Sequence, residues 1–142
     1  MYKTILVAYD GAEFSESALE QAAGLARLCD AELHLFAVVS TIGGMALAEA
    51  AGSVDVLGIE QKHLKSVLDE AARRLAADGV RVATAIRMGS PGHEIAEHAH
   101  EIHADLVVLG HSDKGLLGRW LEGSVGSAVL RNMPCSVLIA TA

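Results

Sequence analysis

Residues 105–127 read DLVVLGHSDKGLLGRWLEGSVGS: an apolar run from Leu106 to Leu109 stops at Gly110, a loop carrying Gly115 and Gly118 follows, and Gly123-Ser124 opens a helical stretch. The order is a buried strand, a glycine-punctuated loop and a helix N-terminus. Free backbone N–H groups and the positive end of the helix dipole converge at such a junction, and glycine lets a ligand approach the backbone, so the arrangement suits an anion. A phosphate site is the sharp reading. The bland one is that any α/β protein needs glycines where strands turn into helices, and the rest of the chain has to decide between them.

Upstream the same alternation of elements recurs. Residues 4–9 (TILVAY) form a nearly continuous apolar run of the kind found in a central parallel strand covered on both faces, and it ends at Asp10-Gly11. Ser15 is the expected N-cap of a first helix in which Ala18, Ala22, Leu25, Ala26 and Cys29 recur at helical spacing. Residues 31–39 (AELHLFAVV) predict a second strand, and two strands separated by one helix imply a right-handed, parallel βαβ unit. Residues 40–54 are undecided between a helical turn and a mobile flap.

A second and longest helix is expected over residues 55–77, with Leu57, Leu64, Leu68, Ala71 and Leu75 on one face and Glu70 and Arg74 as an i, i+4 pair, ended by Asp78-Gly79. Residues 80–86 (VRVATAI) alternate as a third strand, stopped by Met88-Gly89-Ser90-Pro91. Ser90 then caps a third helix with Pro91 at its first position and Ile95, Ala99 and Ile102 as its buried stripe. After the opening stretch, a fourth helix over residues 124–132 leads through Met133-Pro134 into a last strand, Ser136–Ala140.

Five strands and four helices in alternation predict one domain over residues 1–142: an α/β fold with an open parallel sheet, order 3-2-1-4-5, and helices on both faces. The chain reverses direction between strands one and four, so a crevice opens at their carboxyl ends, with Asp10-Gly11 and Gly110 on its two sides. The switch point and the glycine loop coincide, which favours a ligand site there.

Composition narrows the function. The chain of 142 residues is 51% apolar but only 4% aromatic, as expected where sheets are covered by close-packed small and aliphatic side chains. A formal charge of −7 argues against nucleic-acid partners and anionic membranes. No apolar run approaches a membrane span, and Met1-Tyr2-Lys3 leads straight into a strand with no leader pattern; the expectation is a cytoplasmic protein. Cys29 and Cys135 show no metal or redox spacing and read as small buried hydrophobes.

At these residues the sequence resembles the universal stress protein family over its whole length. The family's nucleotide signature is Gly, two residues, Gly, nine residues, then Gly-Ser or Gly-Thr; here Gly110 begins it, Lys114 through Glu122 are the nine, and Gly123-Ser124 closes it. ILVAYDG near the start, Met88-Gly89-Ser90-Pro91 and the terminal MPCSVLI run also resemble the family's blocks. The resemblance implies a Rossmann-like fold of the adenine nucleotide alpha hydrolase type and a regulatory module in stress response that binds ATP or AMP. It implies phosphate contacts around Gly110, Asp113, Gly123, Ser124 and Val125, an adenine slot near Asp10 and Val39, and ribose contacts near Asp10, Leu109 and Gly110. It also implies a homodimer, through Ser136–Ala140, which would otherwise be an uncovered apolar edge strand. A protein partner for the module is expected but not specified.

Asp113 stands where the signature has its second glycine. A carboxylate about 4–5 Å from a polyphosphate at intermediate dielectric is repelled by several kcal/mol. The side chain can avoid this by pointing to solvent, by sitting beside a Mg²⁺ that bridges to phosphate, or by accepting AMP, with Lys114 and Arg119 offsetting part of the charge. The alternative is an interaction dimer with a vestigial site; a third reading is a slow ATPase. No catalytic residues are assigned, because Ser124 has no base beside it. His93, His98, His100 and His103 enrich the third helix, but Glu97 stands where a zinc-protease motif needs its second His, so no resident metal is assigned and the imidazoles are expected mostly on the solvent side. Trp120 reads as a packing residue.

Overall fold

The structure is a computed structural model that describes residues 1–41, 55–111 and 130–141. Its elements are β1 (Thr4–Ala8), α1 (Glu13–Cys29), β2 (Glu32–Ser40), α2 (Val56–Ala77), β3 (Arg81–Gly89), α3 (Pro91–Glu101), β4 (Leu106–Gly110) and β5 (Ser136–Ala140). All neighbouring strands are parallel, in the order β3-β2-β1-β4-β5, as the alternation predicts.

The period-two geometry of a strand sends alternate residues to opposite faces, and here both faces are covered. Ile5, Val7, Leu33, Leu35, Leu106 and Val108 pack with Ala18, Ala22 and Ala26 of α1 and with Leu64, Leu68 and Ala71 of α2. Leu6, Ala8, Phe36, Val107 and Leu109 pack on the other side with Ile95 and Ala99 of α3. This explains why β1 and β4 read as unbroken apolar runs. The alanine face of α1 brings its backbone close to the sheet with little side-chain entropy to lose. Of the fourth helix expected over residues 124–132, Leu130 and Arg131 are helical and residues 124–129 lie outside the described residues, as do 42–54 of the undecided region.

Several expectations are corrected. Helix α1 begins at Glu13 with Ala12 at its N-cap, and Ser15 lies buried inside the first turn instead of capping it. No side chain caps the helix: Asp10 Oδ1 accepts the N–H of the N-cap residue Ala12 itself at 2.9 Å, which shapes the turn before it, and the Ala12 carbonyl accepts from the Ser15 and Glu16 N–H groups. Ser90 is the N-cap of α3 with Pro91 following, but its hydroxyl makes no cap bond; its carbonyl accepts the Glu94 N–H at 2.9 Å. Strand β3 continues to Gly89, because its register with β2 runs on to the pair Ser40 and Gly89 and the Thr41 N–H then donates to the Gly89 carbonyl. Arg74 does not pair with Glu70 along α2; it reaches across to Glu16 of α1 at 3.7 Å.

His98 departs from the solvent-facing expectation. It is 7% exposed and stacks on Phe36, with ring centroids 4.4 Å apart and planes 9° from parallel, while His93, His100 and His103 are exposed. Ile95, His98, Ala99 and Ile102 share the i, i+3, i+4, i+7 stripe, so its place on the inner face follows from spacing. Both cysteines are half-buried. Cys29 packs beside the α1–α2 core and Cys135 beside the α3 core, where burial pushes its thiol pKa up.

Candidate functional site

The site grows from where two ladders part. Strands β1 and β4 pair only through Ile5 with Leu106, Leu6 with Val107 and Val7 with Val108. Beyond that, β1 stays with β2: Ala8 pairs with Phe36, and the Tyr9 N–H donates to the Phe36 carbonyl at 2.9 Å. Strand β4 stays with β5: Gly110 pairs with Ala140, and the His111 N–H donates to the Ala140 carbonyl at 2.9 Å. The sheet therefore opens between Asp10 and Gly110, at the carboxyl ends of the strands where α/β sheets take ligands. At the opposite end the same pair of strands is closed. Asp105 accepts from the Lys3 N–H at 2.8 Å and the Thr4 N–H at 3.2 Å, and its own N–H donates to the Thr4 carbonyl.

Of the predicted residues within the described part, Asp10 and Gly110 flank this opening, Leu109 precedes Gly110 in β4, and Val39 lies near the end of β2, paired with Met88 of β3. The Asp10 carboxylate accepts from the Ala12 N–H and also lies 2.8 Å from the Ser15 hydroxyl, so its role is to shape the turn into α1. Gly11 follows with a φ of +85°, a conformation that glycine adopts without strain. Gly110 is a contact glycine: a Cβ there would lie 2.2 Å from the Phe14 carbonyl oxygen, so the start of α1 rests directly on the end of β4. Val39 is fully buried and Leu109 is 2% exposed, each in one of the two cores, so a ligand at these positions meets their backbone and not their side chains. Asp113, Gly123, Ser124 and Val125, together with Lys114, Arg119 and Trp120, lie outside the described residues.

Beside Asp10 the structure has a cavity of about 80 Å³, walled by Ala8, Tyr9, Phe36, Ala37 and Val38 from the strand ends, Ile95 from α3, and Glu60 and Leu64 from α2. The sequence reading missed Glu60 and Ile95 as wall residues; only the packing of α2 and α3 over β2 brings them there. It also missed the polar knot around Tyr9. The Tyr9 hydroxyl donates to Glu16 Oε1, and Arg74 Nη2 donates to the Tyr9 hydroxyl oxygen at 3.4 Å. Burial first, and the Glu16 carboxylate second, push the phenol pKa up to about 12. The knot joins the end of β1 to α1 and α2 around the cavity.

On the β4 side, His111, next to Gly110, has a buried Nδ1 with no hydrogen-bond partner among the described residues, which is uncommon for a buried polar atom. His98 Nδ1 likewise makes no hydrogen bond among the described residues and lies 3.7 Å from Glu101 Oε2; burial lowers the pKa of the ring. Glu101 in turn makes a two-pronged pair with Arg87, Nη1 lying 3.0 Å from Oε1. Farther out on α3, donor atoms of His93, Glu94 and Glu97 lie within 4.8 Å of one another, with His93 and Glu97 paired at 3.1 Å on the exposed face. Among the described residues no helix is long and apolar enough to cross a membrane.

The comparisons agree with this architecture. A solved universal stress protein in complex with cAMP superposes with a TM-score of 0.67 at 27% identity, over 99% of this chain and 97% of that one. The universal stress protein from Archaeoglobus fulgidus in complex with dAMP gives 0.65 at 25% identity, over 98% of each chain. A universal stress protein of Methanocaldococcus jannaschii is 33% identical over 140 residues, 98% of this chain and 82% of that protein. With the model of the universal stress protein family matching residues 1–141 as well, the chain belongs to that family.

Proposed function

We propose that this chain binds an adenine nucleotide in the crevice between β1 and β4 and acts, as a homodimer joined through β5, as a regulatory module in stress response. The observation that carries the reading is the parting of the β1 and β4 ladders between Asp10 and Gly110, with a cavity on the β2 side and a glycine-rich segment starting on the β4 side. The unpartnered His111 Nδ1 beside Gly110 suits a site where a polar ligand supplies the missing hydrogen bond. The cAMP and dAMP complexes of the two relatives support an adenine compound as the ligand class. In this reading the base lies on the β2 side, near the backbone of Val39, the ribose near Asp10, Leu109 and Gly110, and the phosphates on the segment holding Asp113, Gly123, Ser124 and Val125. Mg²⁺ would enter with the nucleotide, beside Asp113. The dimer would cover the free edge of β5, where Ile139 is 42% exposed.

The test is calorimetric titration of nucleotide-stripped protein with ATP, ADP and AMP, with and without Mg²⁺, alongside Asp113→Gly. Micromolar binding by the unaltered chain is the expected result, and a Mg²⁺ requirement or a preference for AMP would show how Asp113 is accommodated. Binding by the variant alone would mean that Asp113 has closed the site. Binding by neither would overturn the nucleotide reading and leave an interaction dimer with a vestigial site.

A further inference from the structure

The cavity beside Asp10 is walled mostly by apolar side chains and backbone, and two carboxylates border it. Asp10 is committed to the Ala12 N–H and the Ser15 hydroxyl. Glu60, in the second turn of α2, is half-buried, and its carboxylate has no hydrogen-bond or ion-pair partner among the described residues. A carboxylate is an acceptor only, and one facing a slot of this kind favours a ligand edge that brings N–H donors to it.

The placement of the phosphates proposed above decides which edge that is. The phosphate end of a nucleotide in the crevice lies on the β4 side, where the glycine-rich segment leaves Gly110. Helix α2 packs over β2 and β3, on the other side of β1. A nucleotide spanning the crevice therefore turns towards α2 the edge of its base most distant from the sugar. In adenine that edge carries the 6-amino group. We infer that Glu60 is the base-selecting residue of the site, its carboxylate accepting a hydrogen bond from the 6-amino group of adenine in the cavity walled by Ala37, Val38 and Ile95. The inference rests on the nucleotide reading above. A base without the amine would desolvate the carboxylate and give it no partner, which is the condition under which polar sites discriminate most strongly.

The experiment compares ATP with purine riboside 5′-triphosphate, which lacks only the 6-amino group, in calorimetric titrations of the wild-type chain, Glu60→Gln and Glu60→Ala. The wild type is expected to prefer ATP by about 10- to 100-fold, the range for a hydrogen bond to a charged partner. Glu60→Ala is expected to bring the two affinities within about threefold by weakening ATP while leaving the purine riboside compound as before, and Glu60→Gln, which keeps a neutral acceptor, to fall between. A ratio unchanged across all three proteins, with ATP still bound, would overturn the role of Glu60 and leave the nucleotide reading intact. A preference for GTP over ATP that disappears in Glu60→Ala would overturn the 6-amino assignment, because guanine offers its N1–H and 2-amino group instead. Binding of none of these compounds by the wild type would overturn the nucleotide reading and, with it, this inference.

Discussion

Tyr9 and His98 are two polar rings set into apolar surroundings at either side of β2, and each ties stability to pH with its own sign. The Tyr9 phenol is raised to about 12 by burial and by Glu16, against about 10 in an unfolded chain. Its contribution is whole below pH ~10 and is lost as pH rises towards the native value. Tyr9→Phe should cost about 1 kcal/mol at neutral pH, for the lost hydrogen bonds to Glu16 and Arg74, and should flatten the alkaline limb of a melting-temperature profile. His98 behaves in the opposite sense. Burial against Phe36 lowers its pKa, with Arg87 and His34 acting in the same direction and Glu101 opposing them. Its contribution is whole above pH ~6.5 and drains away as pH falls from there through the native value, at up to about 1.4 kcal/mol per pH unit for one proton. His98→Phe keeps a ring on Phe36 and removes the proton, so the variant should lose less melting temperature than the wild type between pH ~7 and ~5. Equal losses would mean that His98 is solvated in the native state. The inward place of His98 was legible in its spacing from Ile95, whereas the partnership of Tyr9 with Arg74 was not, because it joins residues 65 apart in the chain.

Among the secondary-structure elements, the contact between α1 and β4 and the outer edge of β5 carry the sharpest expectations. Gly110→Ala would place a Cβ 2.2 Å from the Phe14 carbonyl, a backbone atom that cannot rotate away. The helix start must shift, and a loss of about 1–3 kcal/mol in chemical denaturation is expected. A cost near zero would show that α1 slides freely on β4. For the proposed dimer, Ile139→Lys places a charge at an exposed position of the edge strand, where lysine deters strand pairing. Monomer mass by light scattering, with cooperative unfolding retained, is the expected outcome, and an unchanged dimer mass would exclude pairing through β5. All five strands were legible in the sequence: β1 and β4 as apolar runs buried on both faces, and β5 as the apolar stretch after Pro134 although it is a partly exposed edge. The end of β3 was missed because an edge strand with no fully buried residue gives a weak alternation and its length is set by β2. The start of α1 was misplaced because its N-cap, Ala12, has no capping side chain to announce it, whereas Ser15, three residues later, is of a type that commonly caps.

For the molecule as a whole, the order of elements was enough to place the switch point, but the walls of the cavity depend on helices packing across the sheet and have no local signal. Ligand linkage gives a global test: ATP at about 100 times its dissociation constant should stabilise the fold by about 2.7 kcal/mol and raise its melting temperature by about 8 °C, and removing the nucleotide should reverse this. The seam between β1 and β4 has a further meaning. It is paired at three positions, against nine between β2 and β3, and it is also where the chain divides by order of synthesis, since β1 to β3 come from residues 4–89 and β4 and β5 from residues 106–140. A nucleotide lying across it would act as a clasp between the earlier and later parts of the polypeptide. Two fragments cut in the turn between α3 and β4 would then be pieces whose reassembly the ligand itself promotes, which would make the fold a natural split reporter of its own occupancy.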